Sequence, residues 1–329
     1  MKILCVGDFH ARLILPYASA IPDGRQSEWK AIKDTIIEAA ENCDAVVFLG
    51  DIFNTKHNHS SVIREFIEFL NRFGETPIYA LAGNHDAYGT ETSIDFLQRL
   101  GHPNWHIYTR LTNTTIEAAG ESIPVTFLPY QTPGTLGVEN LEEALKKVIS
   151  ESHSGVALFA HHAISGSKLA GTTTDFLNEI VLPRETLEEK YDCIVGGHIH
   201  IPQRLSKKTL VTGNLLTHEI GEYQKSIWIL DTTEKKIDEI PLPVRPIHKV
   251  EISKTDEGYF EMGSIPSNAI VKCIVTDRSV SLDEIRETLE RFDASIILQQ
   301  LPNERQKVHF EDGALDLSVE SLLKLYADS

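Results

Sequence analysis

Five times along this chain an apolar run stops and a side chain able to hold a metal ion follows at once. ILCVG leads into Asp8-Phe9-His10, VVFLG into Asp51, and IYALAG into Asn84-His85-Asp86. ALFA leads into His161-His162, and CIVGG into His198-Ile199-His200. Taken singly, each block is ordinary, since Asp and Asn are favoured turn residues. The HxH pair carries more, because residues two apart on extended chain point the same way. Chance agreement of all five is very improbable, so the blocks predict a metal centre.

Four imidazoles, two carboxylates and one amide oxygen are too many ligands for one ion that keeps an open position. Two ions about 3.5–4 Å apart need a bridge, which a carboxylate can supply. Mixed His and carboxylate ligands suit Mn²⁺, Fe²⁺ or Zn²⁺ better than Mg²⁺ or Ca²⁺, which prefer oxygen. Two such ions polarise a phosphoryl group and activate a hydroxide, so the expected reaction is phosphoester hydrolysis without a covalent protein nucleophile. His85, beside Asn84, is the natural proton donor or charge stabiliser for the leaving group. Asp86 either orients the His85 ring or is a simple turn residue.

These side chains need strands that end together. Apolar runs at 2–7, 45–49, 77–81, 124–128, 156–160 and 192–196 are short and nearly continuous, as strands covered on both faces are. Helical periodicity lies between them at 28–42, 61–73 and 139–150, with Ser60 or Ser61 as the expected N-cap of the second. The alternation predicts a layered α/β fold, in which ligands bind at the carboxyl ends of strands. Short strands are expected at 203–206, 209–212, 226–231 and 236–240, as antiparallel pieces closing the sheet. Pro241, Pro243 and Pro246 then mark a boundary. Beyond it, strands at 247–252, 269–276 and 294–300 flank a helix at 281–292 that opens with a Ser281–Glu284 capping box. In 318–327, Val319, Leu322, Leu323 and Tyr326 share one helical stripe, which either packs on its own domain or docks a partner.

The 329 residues carry a formal charge of −17, which argues against gripping nucleic acid through a broad basic face but not against a local cationic site. No apolar run approaches the roughly 20 residues of a membrane helix, so no membrane association is expected. The N-terminal MKILCVGD has too short an apolar stretch for a signal-peptide core. Cys5, Cys43, Cys193 and Cys273 are far apart; the first, third and fourth sit in apolar runs and read as buried free thiols, which predicts a reducing cytoplasm.

The five blocks resemble the calcineurin-like metallophosphoesterase superfamily over residues 1–232. That resemblance implies an α/β sandwich of two β-sheets flanked by helices. It implies one metal held by Asp8, His10 and His200, another by Asn84, His161 and His198, a bridging Asp51, and His85 as the catalytic histidine. His161 is preferred to His162 because it directly follows the apolar run and its distance to Gly166 matches an H-x4-G pattern. GDFH, GDIFNTKHNHSS, VTGNLLTHEIGEY and KSIWILD are similar to the SbcD branch of Mre-type repair nucleases, phage members included. Where many cellular members have a second histidine after the bridging aspartate, this chain has Asn54, with His57 and His59 nearby.

The branch implies a nuclease domain at 1–243, an α+β capping domain at 247–312 and a C-terminal helix at 313–329 that docks an ATPase. The expected function is a Mn²⁺-dependent DNA exonuclease and endonuclease subunit in repair, recombination or replication. Its expected partners are DNA, an SbcC-type SMC-like ABC ATPase and a second copy of itself, in a cellular or phage-infected cytoplasm. The alternative on the same dinuclear site is a small-molecule phosphodiesterase or phosphoprotein phosphatase. A non-catalytic scaffold is disfavoured by the intact ligand set.

Overall fold

A computed structural model describes residues 1–88, 91–169, 178–218, 222, 224–252, 268–275, 281, 283, 287 and 295–300. β1 (Lys2–Val6), α1 (Gln26–Ala40), β2 (Ala45–Phe48), α2 (Ser60–Asn71) and β3 (Ile78–Leu81) open the chain. A short hairpin, β4 (Ala87–Tyr88) and β5 (Glu91–Thr92), leads to α3 (Asp95–Arg99) and β6 (Trp105–Tyr108). Next come β7 (Thr112–Ala118), β8 (Glu121–Leu128), α4 (Pro133–Leu136), α5 (Leu141–Glu151), β9 (Gly155–Ala160), α6 (Arg184–Glu188) and β10 (Tyr191–Gly196). β11 (Gln203–Arg204), β12 (Thr209–Val211), β13 (Ser226–Asp231) and β14 (Lys236–Pro241) follow.

The strands form two six-stranded sheets, ordered β14-β13-β1-β2-β3-β6 and β11-β12-β10-β9-β8-β7. β1, β2, β3 and β6 run parallel, as do β8, β9, β10 and β12. Side chains on a strand alternate between faces, so an unbroken apolar run feeds two cores at once. Ile3, Cys5 and Val47 meet Phe127, Phe159 and Val195 between the sheets. Leu4, Val6 and Phe48 turn outward onto Trp29 and Ile32 of α1 and Phe66 and Phe69 of α2. On the far side, Leu158 and Ile194 pack on Ala144 and Val148 of α5. The result is an α/β sandwich of two sheets flanked by helices.

The sequence reading missed β6 and β7. β7 is a mostly polar edge strand on which Ile116 alone is buried, so it lacks the apolar run that marks a central strand. The first turn of α2 is capped by neither serine: His59 is the N-cap, and its Nδ1 accepts from the Ser61 amide at 3.2 Å. The closing pieces β11–β12 and β13–β14 pair antiparallel, as expected, although β12 joins β10 in parallel.

After Pro241 the chain crosses to a separate parallel sheet, β15 (Ile247–Ile252), β16 (Ile270–Val275) and β17 (Ser295–Gln300). Of the expected helix 281–292 only residues 281, 283 and 287 are described; the 318–327 stripe, with the rest of 313–329, lies outside the described residues. All four cysteines are unpaired thiols. Among the described residues, no helix is long and apolar enough to cross a membrane.

One buried ion pair joins several parts of the fold. Arg25 forks onto Glu28 with two 2.8 Å hydrogen bonds. Its Nη1 donates to the carbonyls of Pro16 at 2.8 Å and Thr217 at 3.4 Å. Glu28 in turn accepts from the Arg245 amide at 2.8 Å. Removing one partner leaves an uncompensated buried charge. Arg25→Ala is therefore expected to lower stability by about 3–5 kcal/mol in urea unfolding, and a loss under about 1 kcal/mol would contradict this account.

Candidate metal centre

Parallel pairing brings the carboxyl ends of β1, β2 and β3 to one edge of the first sheet, and those of β9 and β10 to the neighbouring edge of the second. Asp8 and His10 follow β1, Asp51 follows β2, and Asn84 and His85 follow β3. His161 follows β9, and His198 and His200 follow β10. The two sheets thus deliver their side chains into one space.

There the acceptors converge on either side of Asp51. On one side, Asn84 Oδ1 lies 3.0 Å from His161 Nε2 and 2.9 Å from His198 Nδ1, and Asp51 Oδ1 lies 3.4 Å from His161 Nε2. On the other, Asp51 Oδ2 lies 3.7 Å from His10 Nε2, which is 3.2 Å from His200 Nε2. Asp8 Oδ2 lies 4.0 Å from His200 Nε2 and is a buried oxygen with no hydrogen-bond partner among the described residues. Clustered lone pairs around an unsatisfied carboxylate oxygen fit cations held between them. His10, His200 and His218, and separately His10, Asp51 and His85, bring ligand atoms within 4.8 Å of one another.

Three of the rings are held from behind, while His10 Nδ1 is buried with no hydrogen-bond partner among the described residues. His161 Nδ1 donates to the Leu49 carbonyl at 2.6 Å, which turns Nε2 toward Asn84. His200 Nδ1 meets Glu222 Oε1 at 3.0 Å, and His198 Nε2 meets Glu179 Oε2 at 2.7 Å. Carboxylates behind imidazoles fix ring orientation and raise ligand basicity. Glu222 is itself anchored by buried Lys225, 2.9 Å away, which also bonds Asn214 and the His200 carbonyl. Burial opposes the Glu222 carboxylate, yet the His200 hydrogen bond and the Lys225 charge hold its carboxyl down to about 2.

His85 points Nε2 toward Asp51 Oδ2, 4.0 Å away, from a partly exposed position. Its Nδ1 lies 2.8 Å from the Asn54 carbonyl, so that backbone group orients the ring. The Asp86 carboxylate is fully buried elsewhere. It accepts the amides of Ile52, Phe53 and Gly83 at 3.0, 3.0 and 2.9 Å, and the Ser93 hydroxyl at 3.2 Å. It thereby ties the loop after β2 to the loop after β3. His162 turns away, its Nε2 accepting from the Gln131 amide at 3.1 Å, and burial pushes its imidazole down to about 3. His59 is taken up by the cap of α2.

The backbone at this edge is strained. His10, Asp51 and His198 adopt φ values of 49°, 44° and 78°, a region costly for residues with a Cβ. Two of the glycines are matters of space. A Cβ on Gly83 would overlap the Asp51 carboxylate and amide, and one on Gly50 would overlap the His161 ring.

The sequence reading did not single out Glu179, His218 or Arg12. Glu222 and His218 lie inside the VTGNLLTHEIGEY stretch, whose dense polar residues were the available signal. Glu179 stands in no pattern that marks it. His218 packs its ring 4.8 Å from that of His10 and 5.3 Å from that of His200.

A family model described as calcineurin-like phosphoesterase matches residues 1–202. A protein of Invertebrate iridescent virus 6 that bears the name phosphoesterase 244L is 26% identical over 263 residues, covering 77% of this chain and 84% of its own. The D component of nuclease SbcCD from Bacillus subtilis (strain 168) is 26% identical over 266 residues, 70% of this chain and 66% of its own length. Among solved structures, TT1561 of Thermus thermophilus aligns at 15% identity with a TM-score of 0.41, over 73% of this chain and 98% of that one.

Proton linkage offers a test of the cluster. Burial favours neutral His161, but the Asp51 and Asp8 carboxylates push its imidazole from 6.5 up to about 9. A raised folded-state value means that the pair's stabilisation is complete below the unfolded value and is lost as pH rises through the folded one. A cation at Nε2 must displace that proton. The metal-free protein is therefore expected to lose thermal stability from pH 6 to 8.5, while the increase in Tm on adding Mn²⁺ grows. Calorimetry showing a Mn²⁺ effect independent of pH would count against the His161 assignment.

Proposed function

The chain belongs to the calcineurin-like phosphoesterase family, and on that premise we propose that it is a metal-dependent DNA nuclease subunit of SbcD type. The observation that carries the reading is the pair of acceptor sets on the two oxygens of Asp51, with His85 on the open side. Similarity to one component of a nuclease supports DNA as the phosphodiester substrate.

In this reading Asp8, His10 and His200 would hold one cation and Asn84, His161 and His198 the other, with Asp51, which lies between the two sets, shared by both. Two divalent ions there supply Lewis acidity toward phosphoryl oxygens and lower the pKa of a bound water. Mn²⁺ is the proposed metal, with Fe²⁺ and Zn²⁺ compatible with the same donors. The chain's own part is positional. Leu49, Glu222 and Glu179 engage the second ring nitrogens of His161, His200 and His198, which fixes the direction in which the other nitrogen of each ring points. The Asn54 carbonyl holds His85 Nδ1 and leaves Nε2 on the Asp51 side, from which it would hand a proton to the leaving oxygen.

Residues 247–312 form a capping domain in this proposal, and 313–329 dock an SMC-like ABC ATPase of SbcC type. The protein works as a homodimer in a cellular or phage-infected cytoplasm, as an exonuclease and endonuclease in repair, recombination or replication. A second reading, a small-molecule phosphodiesterase or phosphoprotein phosphatase, is favoured by the charge of −17. The two separate on substrate. The Mn²⁺-loaded protein, alone and with its ATPase, is expected to cut single- and double-stranded DNA. Turnover of bis-p-nitrophenyl phosphate with intact DNA would favour the second reading.

Asp51→Asn and His85→Ala test the roles. Asp51→Asn removes the charge shared by both sites, and His85→Ala removes the proton donor, whose loss is worth about 10²–10⁴ in rate. Both are expected to abolish measurable cleavage with an unchanged circular dichroism spectrum, and wild-type rates in both would refute the assignment.

A further inference from the structure

Directly after the first metal-ligand block the chain reads Arg12-Leu13-Ile14-Leu15-Pro16. Arg12 Nε donates to the His10 carbonyl at 3.3 Å, and Nη2 lies 3.2 Å from His218 Nε2. The guanidinium is thus held between the His10 carbonyl and the His218 ring. Among the described residues its hydrogen bonds go to the His10 carbonyl and the His218 ring, and none to a carboxylate. In a chain of −17, a half-buried cation with no acidic partner among the described residues, beside the candidate metal centre, is conspicuous.

Its neighbours are equally out of place. Leu13 is 59% exposed and Ile14 73%, and only Leu100 joins them as a large exposed apolar side chain among the described residues. The pair is not on loose chain. Before it, the His10 and Ala11 amides donate to the Asp51 and Ile52 carbonyls at 2.7 and 2.9 Å. After it, Leu15 is buried and Pro16 is gripped by Arg25, which also holds Thr217 next to His218. Two apolar side chains are therefore displayed to solvent from a braced base, beside a guanidinium that no described carboxylate neutralises.

We infer that Arg12, Leu13 and Ile14 form a strand-holding element, in which the guanidinium grips a phosphate flanking the scissile one and the Leu13–Ile14 pair packs on an unstacked nucleobase. A guanidinium fork matches phosphate oxygens in two parallel bonds. Apolar side chains of this kind wedge between bases or cover the face of one already out of its stack. An unstacked base is available at single strands and frayed ends and absent within a paired duplex. The element therefore favours single-stranded or frayed substrate. This rests on the nuclease reading above.

The test uses the full-length Mn²⁺-loaded protein with a single-stranded oligonucleotide and with bis-p-nitrophenyl phosphate, which has neither flanking phosphate nor base. For Arg12→Ala and for Leu13→Ser/Ile14→Ser, the ratio of kcat/KM on DNA to that on the small diester is expected to fall about tenfold, mainly through KM for DNA. Taking the ratio removes any general loss at the centre. A fall of less than about threefold in either variant overturns the inference, given the stacking and phosphate contacts it assigns. If the double variant keeps its ratio but dissociates from dimer to monomer in sedimentation, the apolar pair belongs to a contact between copies, and the inference is equally overturned. Wild-type protein that hydrolyses the small diester but no DNA defeats the nuclease reading and this inference with it. Wild-type cleavage with unaltered variants defeats the inference alone.

Discussion

The structure is organised around a crowding of lone pairs. Asp8, Asp51, Asn84 and the rings of His10, His161, His198 and His200 crowd their oxygen and nitrogen atoms against one another, in pairs 2.9 to 4.0 Å apart. Buried acceptors without donors are costly, and carboxylates most of all. Such an arrangement persists only if the surrounding protein holds it rigidly and a cation can repay it. The rings of His161, His198 and His200 are tethered at their other nitrogen, and Asp8 keeps an oxygen unsatisfied among the described residues.

Rigidity comes from the sandwich. The parallel strands β1, β2 and β3 are buried on both faces, one row of side chains locking the two sheets together and the next locking the sheet to its helices. The carboxyl ends of the strands cannot shift without opening two cores. That stability underwrites the left-handed backbone at His10, Asp51 and His198, which costs about 1–3 kcal/mol each. Asp86 serves the same end, as a buried carboxylate whose four donors bind the loops after β2 and β3 into one piece.

Charge shapes how the site meets its substrate. At −17 the general surface repels polyphosphate, and counterion release would supply little affinity. Recognition then concentrates where positive charge is local. Two divalent ions would return about +4 at this edge, for two metals of the kind the donors fit, and Arg12 stands beside them without a described carboxylate.

The five polar blocks that converge at one edge, the strands that carry them and the α/β class were legible in the sequence. An apolar run followed at once by Asp, Asn or His is a local pattern, and parallel strands covered on both faces must be apolar throughout. The edge strand β7 was not legible, because a strand with one buried residue carries no such pattern. Nor were the groups behind the rings. Glu179, Glu222 and the Leu49 and Asn54 carbonyls meet their histidines only through the pairing of separate strands, and backbone carbonyls leave no mark on a sequence. The destination of Asp86 was open in the sequence between turn and ring orienter. The structure turns it to three backbone amides and a hydroxyl, because a buried carboxylate goes where donors are densest. The sequence by itself determined which side chains are available for chemistry. Only the tertiary structure decided which of them face one another and from what direction each is held, since those relations are set by packing between segments far apart in the chain.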